Sequence, residues 1–148
     1  MNNEEYIDIS KLELASQSKR IRAFVIDDIL ISTITIILLW DQIATLDGDL
    51  VAILTVMNSA FVQILFLKLI YQTFFIWYYG ATIGKIIVKI RVIKEDNLGK
   101  VDFVSSLMRS ASRIVSEAVF YFGFLLAFYT KGRQTLHDKM AKTLVVND

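Results

Sequence analysis

Three apolar runs divide the chain, at residues 23–40, 51–79 and 114–130. The first (AFVIDDILISTITIILLW) makes about 27 Å of helix, enough to cross a bilayer core once its flanks are added. Its Ile and Thr content would suit a strand in water, but so long a run without turn signals favours a membrane helix. Trp40 closes it as an interfacial residue. The second run is longer than one span needs and ends in Phe74, Phe75, Trp77, Tyr78 and Tyr79. That aromatic cluster reads as the opposite interface. The third run gives about 25 Å of helix, the short limit for a span, with Gly123 near its middle.

The polar stretches between the runs carry their own patterns. Residues 1–18 read as a polar tail, and residues 19–148 as one membrane domain. The link 41–50 is acidic, and Gly80-Ala81-Thr82-Ile83-Gly84-Lys85 is turn-rich. Residues 86–94 (IIVKIRVIK) alternate and are β-branched, which predicts a short strand. Residues 102–113 fit an amphipathic interfacial helix, with Phe103, Leu107 and Ala111 on one side and Arg109 and Arg113 on the other. Thr143 to Val146 is a second strand-like piece. The predicted fold is an all-α membrane protein. It has two transmembrane helices, a third short or re-entrant apolar segment, the amphipathic helix and a small two-stranded β element.

Composition supports this class. The hydrophobic fraction is 55% and the mean hydropathy +0.51, above the roughly 45–50% apolar content of soluble domains. The chain has no cysteine, which excludes disulfides, thiol chemistry and Cys-based metal sites. Its single histidine, His137, argues against a His-ligated metal centre. With no proline, helix breaks fall to glycine. The first run is too long for the core of a signal peptide and lacks a small-residue cleavage site, so it is expected to remain in the mature protein.

Charge distribution sets an expected topology. Lys19, Arg20 and Arg22 flank the first run, while the 41–50 link has no Lys or Arg. The N-terminus is therefore expected in the cytoplasm of a multi-pass cell-membrane protein. The third run is also followed by basic residues, Lys131, Arg133, Lys139 and Lys142. A re-entrant hairpin bent at Gly123 would keep that tail cytoplasmic; a plain third span would put it outside. The 86–94 strand needs a partner, and 143–146 is the good candidate, which favours the hairpin.

Candidate chemistry lies in the charges inside apolar runs: Asp27, Asp28, Lys68 and Glu117. Each costs about 2.5–3.5 kcal/mol at a membrane helix centre, which makes it a functional-site hypothesis. Arg20 and Asp27 lie two turns apart on nearly one face, whereas Asp28 is turned about 100° away. One reading is a carboxylate site for a proton or monovalent cation. The other is a structural pair, Asp27 with Arg20 or Lys68, that fixes packing. The 80–85 stretch lacks the spacing and trailing Ser/Thr of a phosphate loop. His137-Asp138 belongs to no catalytic set. No enzymatic activity, cofactor, metal or nucleic-acid partner is expected. The expected partners are the lipid bilayer and a second copy of the chain or another membrane protein.

These pieces together resemble the RDD family of bacterial membrane proteins. Arg20-Ile21-Arg22-Ala23-Phe24-Val25-Ile26-Asp27 is similar to the family's R-x-x-A-x-x-I-D opening. Gly80-Ala81-Thr82-Ile83-Gly84-Lys85 with Ile90-Arg91-Val92 is similar to its G-x-T-x-G-K and R-V stretch. Arg109, Gln134-Thr135-Leu136-His137-Asp138 and Thr143-x-Val145-Val146 follow in order. The resemblance implies an inner-membrane location and signature positions at Arg20, Asp27 and Asp138. It also implies cation- or proton-linked transport, with a non-transporting scaffold or assembly factor as the alternative. Two departures stand out: Asp28 is an added acid, and Lys142 replaces a small residue, usually glycine, before Thr143.

Overall fold

The computed structural model describes residues 12–118 and 132–148. Helix α1 runs Gln17–Leu38, α2 Trp40–Ala44, α3 Leu50–Ser59, α4 Phe61–Tyr79 and α5 Ile83–Ile87. Strand β1 (Ile90–Lys94), α6 (Phe103–Ala118), α7 (Leu136–Met140) and β2 (Thr143–Asn147) follow. The described residues are mostly helical, with one small two-stranded sheet. Most of the third apolar run, including Gly123, and the first eleven residues of the polar tail lie outside the described residues.

Local chemistry sets the helix ends. Ser16 caps α1 by accepting from Lys19 N at 3.3 Å. Asp49 caps α3 through Val51 N and Ala52 N. Gly80 ends α4 in the left-handed conformation (φ 76°) that glycine adopts without penalty. Among the described residues, α4 is the one helix long and apolar enough to cross a membrane. Helix α1 has 22 residues, about 33 Å, and carries its charges toward its N-terminal half.

The structure corrects several expected boundaries. The polar tail is shorter than expected, since α1 begins at Gln17 and Leu14 and Ala15 pair with β2. The 51–79 run is broken at Ala60, which caps both α3 and α4 (φ −86°, ψ 2°) and follows Ser59, whose Oγ donates to the Val56 carbonyl at 2.7 Å. The expected strand 86–94 starts only at Ile90, because 83–87 coils into α5. The amphipathic helix extends to Ala118, so it takes in the first residues of the third run.

The expected strand pairing is present. β1 and β2 run antiparallel, with Ile90 opposite Asn147 and Lys94 opposite Thr143. Leu14 bridges to Val146. Ile76, Ile90, Val92, Val101 and Val145 pack with Ala15 and Ala23 into a core that joins the sheet to α1 and α4. Away from it the usual sense of burial is reversed. On α6, Phe103, Val104, Leu107 and Met108 are exposed, while Ser106, Arg109, Ser110 and Arg113 are buried. Ile21, Val25 and Ile29 of α1 and Phe66, Ile70 and Phe74 of α4 are exposed as well.

Candidate functional site

Three carboxylate clusters line the helix interior. The first surrounds Asp27, which faces inward from α1 and is 1% exposed. Tyr71 of α4 donates to its Oδ1 at 2.7 Å, and Gly84 N of α5 donates to the same oxygen at 2.8 Å. Thr82 donates to Oδ2 at 2.6 Å. One carboxylate thus ties α1 to α4 and to the turn that opens α5. Such charge-assisted bonds are the strong kind. Tyr71 also accepts from Ile83 N at 3.1 Å. The turn fits because residue 84 has no side chain: a Cβ there would stand on the Ala23 carbonyl and 2.8 Å from Asp27 Oδ1. Lys85 Nζ lies 3.4 Å from Thr82 Oγ1. Burial lowers the Lys85 ammonium to about 7, with Arg113 and Arg109 adding to the fall and Asp27 opposing it.

The second cluster centres on Asp138 of α7, fully buried. Arg20 of α1 binds its Oδ2 and Arg109 of α6 binds its Oδ1. Arg20 also donates to the Arg133 carbonyl, and Arg109 to Thr143 Oγ1 at 2.7 Å. Asp138 accepts from Thr135 N at 3.0 Å, completing a capping box that starts α7. Burial alone would raise the Asp138 carboxyl, but the Arg109 and Arg20 guanidinium groups outweigh it and hold the acid well below its usual range. His137 beside it is pushed well below its usual value, chiefly by burial, and it lies against Thr135 Oγ1 at 2.8 Å.

The third cluster is more open. Lys68 of α4 lies 3.1 Å from Asp28 Oδ1 and 3.1 Å from Glu117 Oε2. Arg113 closes the chain on Glu117 Oε1 at 3.1 Å and stacks over the Phe24 ring. The Asp28 side chain is 46% exposed, against 15% for Glu117. A small cavity beside these groups, about 10 Å³ accessible to the centre of a water, is bordered also by Gln72 and Ser110.

Arg20 and Asp27, two turns apart on α1, do not meet: the arginine reaches across to Asp138. Asp28, Lys68 and Glu117 come together. Tyr71, Thr82 and Arg109 complete two of the clusters without having been singled out as site residues. For Thr82 and Arg109 the signal was their place in the quoted motifs; Tyr71 carries none beyond being a hydroxyl in an apolar run.

Comparison with known proteins identifies the family. The RDD family model matches residues 14–142. A proline-rich antigen homolog of Mycobacterium tuberculosis is 31% identical over 67 residues, 45% of this chain and 28% of the relative. The proline-rich antigen of Mycobacterium leprae is 30% identical over 86 residues, 53% of this chain and 34% of the relative. The matched stretch spans about a third or less of these relatives' length. No solved structure matches. Arg20, Asp27 and Asp138, the positions on which the resemblance rested, fall within the matched residues, and the chain belongs to the RDD family.

Proposed function

We propose that this chain is an integral membrane protein in which the Asp28–Lys68–Glu117 cluster exchanges a proton or a monovalent cation. The observation that carries the membrane half is the reversed burial: Asp27, Arg109, Arg113 and Asp138 are inside while the aliphatic faces of α1, α4 and α6 are outside. In water such a surface would aggregate; in lipid it is the favourable arrangement, because buried charges pair with one another. The sheet and the basic N-terminal end of α1 fall on the cytoplasmic side by the charge rule.

The exchange half rests on the contrast between the clusters. Asp27 and Asp138 are saturated with donors, so a ligand arriving at either would orphan several buried groups. Asp28 has Lys68 as its ion-pair partner and is half-exposed beside a water-sized cavity. Lys68 bridges two carboxylates, and an incoming cation would take the place of its ammonium. In proteoliposomes carrying a pH-sensitive dye, Asp28→Asn with Glu117→Gln abolishes cation-driven proton flux, whereas Asp27→Asn leaves flux in the protein that folds. Flux that survives the double substitution refutes the assignment.

The saturation of Asp138 by Arg20 and Arg109 favours a second reading, a non-transporting scaffold in which all three clusters only hold helices together. It predicts no flux from the wild-type chain under any cation gradient.

A further inference from the structure

The ends of α1 and α4 far from the sheet enclose a cleft that none of the carboxylate clusters uses. Its volume is about 370 Å³, within the range of small-molecule sites. It opens where two helices are interrupted, at Leu39 between α1 and α2 and at Ala60 between α3 and α4. Leu38, Ile64 and Leu67 give it apolar walls, and the polar groups are Thr35, Gln42 and Gln63.

Thr35 is the informative one. A threonine within a helix ordinarily returns its hydroxyl to the carbonyl one turn back. Thr33 does so to Ile29 and Thr55 to Val51, each at 2.8 Å. Thr35 is 5% exposed, yet its Oγ1 has no hydrogen-bond partner among the described residues. A buried hydroxyl without a partner is costly. Its position in the lining of the cleft gives it a use once something carrying an acceptor enters.

The surroundings define that ligand. No Lys or Arg occurs between Arg22 and Lys68, while Asp41 stands next to Gln42 in α2. Among the described residues that line the cleft there is no cation for an anionic headgroup, whereas an ammonium headgroup finds the Asp41 carboxylate nearby in sequence. The walls suit an alkyl chain, and the hydroxyl and carboxamides suit a neutral carbonyl. We propose that the cleft holds the glycerol-ester region of a zwitterionic phospholipid, with the Thr35 hydroxyl donating to an ester carbonyl and the acyl chain lying along Ile64 and Leu67.

This inference rests on the membrane reading but not on ion exchange. The membrane reading is tested separately, by whether the wild-type chain resists alkaline extraction from membranes. For the cleft, the purified chain is exposed to dioleoyl phosphatidylethanolamine, its diether analogue and dioleoyl phosphatidylglycerol, and retained lipid is counted by native mass spectrometry. The diester phosphatidylethanolamine is expected to be retained about five-fold better than the diether, the value of one net hydrogen bond. Thr35→Val removes that difference. Gln63→Leu, at an exposed residue of the lining, lowers diester retention and decides the matter if Thr35→Val does not fold. Equal retention of diester and diether, preference for the anionic lipid, or retention unaffected by the folded variants overturns the proposal.

Discussion

Gly84→Ala is the sharpest single test of the Asp27 clamp. The added methyl would stand on the Ala23 carbonyl oxygen and 2.8 Å from Asp27 Oδ1. Neither obstacle moves easily, since one is backbone and the other is a carboxylate pinned by Tyr71 and Thr82. Relief requires α5 to back away from α1, which breaks the bond from Gly84 N to Asp27. Overpacking costs about 1–3 kcal/mol, and losing a hydrogen bond to a charged group about 1.5–3 kcal/mol. The sum, roughly 2.5–6 kcal/mol, corresponds to a fall in Tm on the order of 10 °C for a chain of this size. Gly99→Ala is the control, because its Cβ meets the flexible end of Asn97. Both variants are heated in detergent and the soluble monodisperse fraction is read by size exclusion. If Gly84→Ala melts with the wild type, the close approach of α5 to α1 is refuted.

Two further outcomes follow from the same geometry. Lys142 sits at φ 49°, a left-handed conformation that costs a side chain about 1–2 kcal/mol and glycine little; Lys142→Gly, allowing for its extra unfolded-state freedom, should raise stability by about 0.5 kcal/mol in thermal melts. His137 is the only histidine and is held neutral by burial in the fold, so unfolding takes up a proton below about pH 6.5. Its contribution is complete above that pH and declines by up to about 1.4 kcal/mol per unit as pH falls toward the folded-state value. His137→Gln should flatten the stability profile between pH 6.5 and 4.5, and an unchanged slope would contradict the buried neutral imidazole.

What could be read from the sequence was mostly local. The strand pair expected at 86–94 and 143–146 follows from alternation and β-branching, and the amphipathic helix from the spacing of Phe103, Leu107 and Ala111. Which way that helix faces was not legible, because a polar face turns inward only when buried acids await it. Asp138 is 29 residues from Arg109 and 118 from Arg20, separations that no periodicity reveals. The misread start of β1 has a specific cause. Ile86 and Ile87 are β-branched and read as the start of the strand after a turn at 80–85, yet Asp27 takes the Gly84 N–H, and coiling 83–87 into α5 delivers it. Thr82 stands at the N-cap of α5 but spends its hydroxyl on Asp27 instead of on the helix. A tertiary contact thus overrides the local propensity.

The adjacent aspartates show how a single residue step along a helix separates a saturated carboxylate from an open one. A step of about 100° along α1 carries Asp27 into three donors and leaves Asp28 facing Lys68 near the surface. Removing the carboxylate of Asp27 leaves Tyr71 Oη, Thr82 Oγ1 and Gly84 N without their acceptor, at about 1–3 kcal/mol each. Removing that of Asp28 leaves Lys68 still bound to Glu117 at 3.1 Å. Loss of the first should therefore be felt in folding and loss of the second in charge movement. An acid added beside a signature acid then needs no symmetric pair to explain it. The signature aspartate ties α1 to α4 and to the turn that opens α5, while its neighbour reaches a lysine that Glu117 also holds.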